Sequence, residues 1–225
     1  MIKLGSSEIS KVYLGGTEVK KIYLGSELLL DNSGSALPYD AEIEYLQSDG
    51  KQYINTGLYG DNSTKVELKE EHVSGSTLGL FGGRNTDNTS NIFALYIISS
   101  GRSVQFGFNA TSNSTNATYN TAHIHIADKN GLYVDGTKKI TLSDDGTFTT
   151  DDTMLLFTTR TGDGHTVESR MFKGKIYYCK IWNGNVLVAD MIPVKKDGVG
   201  YMYDKVSGQL FGNAGSGDFV LGNEV

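Results

Sequence analysis

The sequence has 225 residues, and 20 lysines and arginines stand against 26 aspartates and glutamates, giving a formal net charge of −6. Because phosphate binding needs clustered cations, this acidic chain without a basic run is not expected to bind nucleic acid. The single cysteine, Cys179, excludes an intrachain disulfide and a zinc site with several cysteine ligands. The sequence shows neither a run of about 20 apolar residues nor a signal-peptide pattern, so we do not expect membrane insertion.

The chain opens with a repeat of ten residues, whose three copies contain Ile2-Lys3-Leu4-Gly5, Val12-Tyr13-Leu14-Gly15 and Ile22-Tyr23-Leu24-Gly25. The pattern predicts strands at 8–14 and 17–24, separated by Gly-Gly and followed by Gly-Ser. Both faces of these strands are largely apolar, and some 30 residues are too few to close a core. We therefore expect residues 1–30 to be a β-repeat arm that docks on other subunits or a larger assembly, with homo-oligomer formation. The alternative is a meander that covers its own domain.

Residues 31–38 are a polar linker with glycine and serine that ends at Pro38. Beyond it, residues 39–225 contain about a dozen short apolar or alternating runs between turn residues, and no convincing amphipathic helix. This spacing predicts an all-β domain, an antiparallel β-sandwich. Hairpin turns are predicted at Lys129-Asn130-Gly131 and Asn183-Gly184. The Ser/Thr/Asn-rich segment 109–121 is predicted to be a mobile, solvated loop.

Four segments of residues 39–225 resemble strands of laminin-G-like, concanavalin A-like jelly rolls, which are common in proteins of gut bacteria and their phages. They are YLQSDGKQYINTG (45–57), LFGGRN (80–85), FKGKIYYCKIW (172–182), and the closing stretch from GVGYMYD (198–204) to SGQLFGN (207–213). The resemblance implies a jelly-roll head over residues 39–225. The arm pattern K-x-Y-L-G-(S/G)-x-E-(V/I) resembles N-terminal segments of phage tail and fibre proteins. It implies a virion-surface or extracellular location and contacts with other virion proteins through residues 1–30.

Jelly rolls of this kind include lectins and glycanases, so the fold alone does not assign an activity. A retaining glycanase needs two carboxylates about 5 Å apart, and the resemblance implies a Glu-x-Asp-x-Glu run that this chain lacks. The nearest pairing is Glu42-Ile43-Glu44, which we interpret as an exposed pair at the start of the domain. The glutamates among Lys65 and Lys69 are expected on a solvated strand face; they are Glu67, Glu70 and Glu71. We therefore expect no enzyme activity.

The strand at 176–182 carries the predicted binding site. Alternation places Tyr177, Cys179 and Ile181 on one face, and this uncharged set is expected in the core. Tyr178, Lys180 and Trp182 then lie on the opposite face, where aromatic rings could stack on sugars beside polar groups. The alternative is that Trp182 packs under a loop or against the arm. Arg84 and Asn85 are a second polar candidate for glycan binding, with a role in a turn as the alternative.

No cofactor is expected. His123 and His125 share a strand face and could bind a metal, but no third ligand can be placed, so we expect them to line the solvent face. Asp144-Asp145-Gly146 and Asp151-Asp152 could supply calcium ligands, yet their spacing does not fit a D-x-D-x-D-G loop, and turn chemistry explains them better.

The sequence therefore predicts a noncatalytic virion protein, of the tail, fibre or receptor-binding type, whose jelly-roll head binds a host-surface glycan. Two alternatives remain. The first is a purely structural decoration or assembly module that binds no sugar, and the second is a glycoside hydrolase.

Overall fold

The computed structural model describes residues 3–4, 7–8, 13–14, 17–19, 21–24, 27–31, 37–73, 78–85, 90–98, 103–116, 118, 120–143, 146–161, 167 and 171–225. All regular elements within these residues are β-strands. In this part of the chain, no helix is long and apolar enough to cross a membrane. The chain divides into two units, Met1–Pro38 and Tyr39–Val225.

The first unit contains three tandem two-stranded antiparallel hairpins, one for each copy of the ten-residue repeat. Their strands are β1 (Lys3–Leu4), β2 (Ser7–Glu8), β3 (Tyr13–Leu14), β4 (Thr17–Glu18), β5 (Lys21–Leu24) and β6 (Glu27–Asp31). The predicted continuous strand 17–24 is wrong, because Val19 lies outside both β4 and β5. Leu14 pairs with Thr17, and Leu24 pairs with Glu27, so each copy folds back on itself. Residues 9–12 of the predicted strand 8–14 lie outside the described residues.

The second unit is a sandwich of two β-sheets. Its strands in chain order are β7 (Ala41–Glu42), β8 (Leu46–Asp49), β9 (Ile54–Asn55), β10 (Thr64–His72), β11 (Leu78–Gly83), β12 (Ile92–Ile98), β13 (Ser103–Asn109), β14 (Thr111–Asn116), β15 (Ala122–Asp128), β16 (Gly131–Val134), β17 (Thr137–Thr141), β18 (Leu155–Leu156), β19 (Lys173–Asn183), β20 (Val186–Lys196), β21 (Val199–Asp204), β22 (Gln209–Phe211) and β23 (Val220–Leu221).

Among the described residues, the larger sheet has eleven strands. Eight follow the order β17-β16-β15-β10-β19-β20-β21-β22, while β8 pairs with β19 and β23, and β7 pairs with β20. The smaller sheet has six strands within the described residues, in the order β14-β13-β12-β11-β18-β9. Neighbouring strands pair antiparallel in both sheets. The predicted fold class, an all-β antiparallel sandwich, is confirmed.

Alternation along the strands builds the core between the two sheets. In β10 every second side chain is buried, including Val66 and Leu68. In the smaller sheet, the Phe93 ring packs 5.4 Å from the Phe106 ring and 6.1 Å from the Phe108 ring, centroid to centroid. Because this face of each sheet is apolar, the opposite face carries the polar and half-buried side chains on which a site can form.

Two predicted hairpin turns are confirmed. The β15–β16 connection contains Lys129 and Asn130, and the β19–β20 connection contains Gly184. Gly131 has a φ of 126°, and a Cβ atom there would lie 2.0 Å from the carbonyl oxygen of Ile140. This position therefore requires glycine.

The predicted loop at 109–121 is wrong over much of its length, because Thr111–Asn116 is strand β14. It pairs with β13 from Phe108 opposite Thr111 to Ser103 opposite Asn116. The hydrogen bonds of an edge strand come from the backbone, so a segment without apolar side chains can form one. Ser112 to Ser114 are exposed, which agrees with the predicted solvation of this segment.

Candidate functional site

The outer face of the larger sheet carries three of the predicted site residues. Where β10 pairs with β19, Tyr178, Lys180 and Trp182 stand opposite Lys69, Glu67 and Lys65. All three are half-buried, whereas Cys179 and Ile181 are buried in the core. The structure thus places Tyr178, Lys180 and Trp182 on the face that alternation predicts.

Tyr177 lies on this outer face as well, and its predicted place in the core is wrong. The register of β10 against β19 shifts there, since Lys69 pairs with Tyr178 but Glu70 pairs with Ile176. Tyr177 is the additional residue of this β-bulge, which redirects its side chain. Ile176 takes the core position instead. Nothing in the local sequence signals a bulge, so alternation alone could not find this residue.

The two tyrosines line one depression of about 340 Å³, which we call the tyrosine depression. Its charged lining residues come from β7, β19, β20 and the segments beside β7 and β21; they are Glu42, Glu44, Lys180, Asp190 and Lys205. Ile192 and Pro193 add apolar surface. The depression therefore combines two aromatic rings with carboxylates and ammonium groups.

Hydrogen bonds fix both tyrosine rings. The Tyr178 hydroxyl donates to Glu67 Oε1 at 3.0 Å, and the Tyr177 hydroxyl donates to Glu71 Oε2 at 2.7 Å. Burial, assisted by Glu67, raises the pKa of Tyr178 to about 12, and burial and Glu71 likewise raise the pKa of Tyr177. Both phenols therefore stay protonated at neutral pH.

The carboxylate of Glu71 is stabilised in its charged form. Burial opposes this ionisation, but hydrogen bonds from Tyr177 and Lys175 lower the pKa of Glu71. The Lys175 ammonium lies 3.1 Å from Glu71 Oε1. These contacts fix the side chains of Glu71, Tyr177 and Lys175 relative to one another in the absence of a ligand.

Lysines lie over the rings of this face. Lys65 Nζ is 4.7 Å from the centre of the Trp182 ring, Lys69 Nζ is 4.8 Å from that of Tyr177, and Lys180 Nζ is 5.7 Å from that of Tyr178. Such contacts contribute about 0.5–1 kcal/mol at exposed sites. Trp182 does not pack in the core, and it does not line the tyrosine depression.

A second depression of about 340 Å³ lies at one end of the larger sheet and is lined in part by Lys65. We call it the turn cleft, because the β15–β16 and β19–β20 turns form its walls together with the segment before β10. Its lining is polar: Asn62, Ser63, Thr64, Lys65, Asp128, Lys129, Asn130, Gly184 and Asn185. The sequence predicts Lys129, Asn130 and Gly184 as turn residues and Lys65 on a solvated strand face, and none of them as part of a site.

The structure separates Arg84 and Asn85 from the other candidates. They follow β11 of the smaller sheet, and the Arg84 Nη1 group donates to the Tyr96 hydroxyl at 3.3 Å. Tyr96 belongs to β12 of the same sheet. The five predicted site residues therefore form two groups, three on the outer face of the larger sheet and two directly after a strand of the smaller sheet.

The predicted solvent position of His125 and Glu70 is wrong. Both are buried, with His125 0% and Glu70 2% exposed, and His125 Nε2 lies 2.9 Å from Glu70 Oε1. The strands β10 and β15 pair so that these polar side chains meet on the inner face, where one nitrogen of His125 and one oxygen of Glu70 satisfy each other. A single strand cannot reveal such a partner.

His123 lies in a separate polar contact. Its Nδ1 is 2.7 Å from Asp135 Oδ2, and its Nε2 is 2.7 Å from the Thr118 hydroxyl. Within the described residues, no group of three or more His, Cys, Asp or Glu side chains could hold a metal ion. Asp144 and Asp145, considered above for calcium, lie outside the described residues.

Glu42 and Glu44 line the tyrosine depression but are engaged in hydrogen bonds of the fold. Glu42 accepts a hydrogen bond of 2.9 Å from the Tyr39 hydroxyl. Glu44 accepts hydrogen bonds from the backbone N–H and the side-chain amide of Asn223, at 3.3 and 3.0 Å. Their place beside Tyr177 and Tyr178 was not anticipated from the sequence.

Comparison with known proteins finds solved structures of similar fold and assigns the chain to no family. No protein-family model matches the chain, and no curated protein matches it. A solved structure from Bacteroides ovatus ATCC 8483, provisionally assigned as a carbohydrate-binding protein, is similar with a TM-score of 0.55 at 13% identity. The similarity covers 80% of this chain but only 60% of the Bacteroides protein.

Two structures of the Ruminococcus gnavus IT-sialidase CBM40 are similar at a TM-score of 0.42. One has 19% identity, and the other, bound to alpha2,3 sialyllactose, has 16%. Each similarity covers 64% of this chain and 88% of the other.

Proposed function

We propose that residues 39–225 form a noncatalytic carbohydrate-binding domain whose site is the tyrosine depression. The observation that supports this most strongly is the joint placement of Tyr177 and Tyr178 beside carboxylates and lysines in one depression. The fold shared with the provisionally assigned carbohydrate-binding protein of Bacteroides ovatus is consistent with this proposal.

The chemistry of the depression suits a sugar. The apolar face of a sugar ring stacks on a tyrosine ring, while hydroxyl groups donate to carboxylates and accept from ammonium groups. Because Glu67 and Glu71 already hold the two tyrosine hydroxyls, the rings are ordered before binding. Such ordering reduces the entropy lost on association.

A glycan array probed with the full chain tests this proposal. Tyr178→Ala should lower binding by about tenfold, since an aromatic contact contributes up to about 1.5 kcal/mol. Tyr133→Ala is a matched control: Tyr133 is also half-buried on the outer face, with a lysine ammonium 5.7 Å from its ring centre.

Thermal melts should show that both variants fold. Binding retained by Tyr178→Ala, an equal loss in both variants, or no binding to any glycan would contradict the proposed site.

We propose a noncatalytic site because the two glutamates that line the tyrosine depression serve the fold. Glu42 and Glu44 accept hydrogen bonds from Tyr39 and Asn223, rather than being free to act on a glycosidic bond. Three carboxylates nevertheless line one depression, with Asp190 as the third. This arrangement makes a glycoside hydrolase the specific enzyme alternative.

A purely structural module is the other alternative, and one observation favours it. Lysine ammonium groups already occupy positions over Trp182, Tyr177 and Tyr178. These cations stabilise the rings without any ligand, so the outer face could serve only to build an assembly. The glycan array separates this alternative from carbohydrate binding.

We propose further that residues 1–30 dock the protein in an oligomeric assembly on a virion or another extracellular surface, where the head reaches a host-surface glycan. The virion location rests on the resemblance of the repeat to phage tail and fibre segments. The docking role is supported by the hairpins themselves: each is a two-stranded sheet, and isolated two-stranded hairpins are marginally stable in water. Leu24, in β5, is 69% exposed and offers apolar surface to a partner.

A further inference from the structure

The tyrosine depression and the turn cleft lie at two positions along β19, one near its middle and one at its C-terminal end. Tyr178 lines the first, and the connection after Asn183 lines the second. At about 3.3 Å per residue, Asn183 lies roughly 17 Å along the strand from Tyr178, about the length of three to four hexose units. Trp182 stands between the two depressions on the outer face of the same strand.

Lys65 connects the two regions. It lines the turn cleft, and its ammonium group lies 4.7 Å from the centre of the Trp182 ring. The next outward residue of β10, Glu67, contacts the Tyr178 hydroxyl. A continuous row of polar and aromatic side chains therefore runs from one depression to the other along paired strands.

The turn cleft offers hydrogen-bonding groups that suit hydroxyls. The residues that line it include Asn62, Asn130 and Asn185, whose side chains are amides. The walls are joined to each other, since the backbone N–H of Gly184 donates to the Ser63 carbonyl at 2.9 Å. An amide both donates and accepts hydrogen bonds, as a sugar hydroxyl does.

From this placement we propose that the two depressions are the ends of one extended site, which takes a linear oligosaccharide of about four sugar units across Trp182. The inference rests on the proposed carbohydrate-binding function and specifies its ligand. The tyrosine depression binds one end of the oligosaccharide by stacking. The turn cleft binds the other end through amides, and the middle units displace Lys65 from the Trp182 ring.

The test measures binding of the full chain to gluco-, xylo-, manno- and N-acetylglucosamine oligosaccharides from the mono- to the hexasaccharide. Trp182 is the single tryptophan of the chain, so intrinsic fluorescence reports on this one position. Affinity should rise at least about tenfold from the disaccharide to the tetrasaccharide and then level off. The Trp182 emission should change with the tetrasaccharide but not with the monosaccharide.

One variant and its control test the turn-cleft end of the site. Asn185→Ala, at an exposed position, should reduce tetrasaccharide affinity toward that of the disaccharide. Asn113→Ala, at an exposed asparagine of the smaller sheet, is the matched control and should leave tetrasaccharide affinity unchanged.

The outcomes distinguish failure of the extended site from failure of the proposed carbohydrate-binding function. Equal affinity for the disaccharide and the tetrasaccharide, or unchanged tetrasaccharide affinity in Asn185→Ala, overturns the extended site while leaving the proposed function intact. Absence of binding to all four series and to the glycan array overturns the proposed function, and the extended site with it.

Discussion

Replacing Glu70 by leucine should leave His125 without its carboxylate in a fully buried position. His125 Nε2 and Glu70 Oε1 are 2.9 Å apart, and neither Glu70 Oε2 nor His125 Nδ1 has a hydrogen-bond partner among the described residues. After Glu70→Leu, both ring nitrogens lack partners, and a buried unsatisfied group costs about 1–3 kcal/mol. His125→Leu instead leaves a carboxylate buried alone, which costs about 3–5 kcal/mol.

The double replacement, Glu70→Leu with His125→Leu, should recover most of this loss. Replacing a buried polar pair by apolar side chains of similar size is often neutral or stabilising, because neither desolvated group remains. We therefore expect the double variant to be at least about 2 kcal/mol more stable than the sum of the single effects predicts.

Urea unfolding of the full chain measures these free energies, and thermal melts provide a second reading. With roughly 2–4 °C per kcal/mol for this size, Glu70→Leu should melt about 2–12 °C and His125→Leu about 6–20 °C below the wild type. Additive effects in the double variant would show that the two side chains do not stabilise each other, and would refute this account of the buried pair.

Three further predictions concern acid stability, catalysis and the arm. Burial raises the pKa of Asp204, but the hydrogen bonds from Ser207 and from the backbone of Asp190 outweigh burial and lower it. The charged Asp204 side chain therefore stabilises the fold above the unfolded pKa of about 3.9, and this stabilisation is lost as the pH falls through the lower folded pKa. Urea unfolding from pH 7 to pH 3 should show a smaller acid loss in Asp204→Asn than in the wild type; superimposable slopes would contradict the assignment. Reducing-end assays on plant, algal and bacterial surface polysaccharides should detect no turnover, and activity that disappears in Glu42→Gln or Glu44→Gln would establish a glycoside hydrolase. Deletion of residues 1–30 should leave the melting transition of the head in place and lower the mass in light scattering, whereas unchanged mass together with unchanged docking would show that the arm is only a local cover.

The sequence predicts the sandwich because hydrophobic alternation and turn residues are local signals. The runs containing Val66 with Leu68 and Cys179 with Ile181 identify buried faces without knowledge of their neighbours. The same rule fails at Tyr177, where one additional residue in β19 shifts the register. A bulge depends on how two strands pair, and the pattern within one strand does not contain that information.

Polar residues in the core are difficult to predict for a related reason. His125 alternates with isoleucines, and Glu70 lies in a charged run, so each alone suggests a solvent face. Their burial becomes favourable only because β10 and β15 bring them together across 55 residues of sequence. The cost of burying either group depends on the presence of the other.

The candidate site was predictable in part. Tyr178, Lys180 and Trp182 share one strand, so alternation could place them together. Glu42, Glu44, Asp190 and Lys205 of the tyrosine depression come from other segments that meet through strand pairing. Arg84 and Asn85 were predicted as a second polar candidate because of their chemistry, and the structure places them directly after β11 of the smaller sheet. Residue type indicates what a side chain can bind, whereas topology determines which side chains act together.

Hydroxyl-radical footprinting of the full chain with a glycan that binds on the array tests the central claim most directly. Tyr177 and Tyr178 lie in the tyrosine depression, whereas Tyr96 lies beside Arg84 on the smaller sheet and Tyr133 lies elsewhere on the larger sheet. The account predicts that the glycan protects Tyr177 and Tyr178 from oxidation and leaves Tyr96 and Tyr133 unchanged. Protection of Tyr96 with unchanged oxidation of Tyr177 and Tyr178 would contradict it and place the glycan on the smaller sheet.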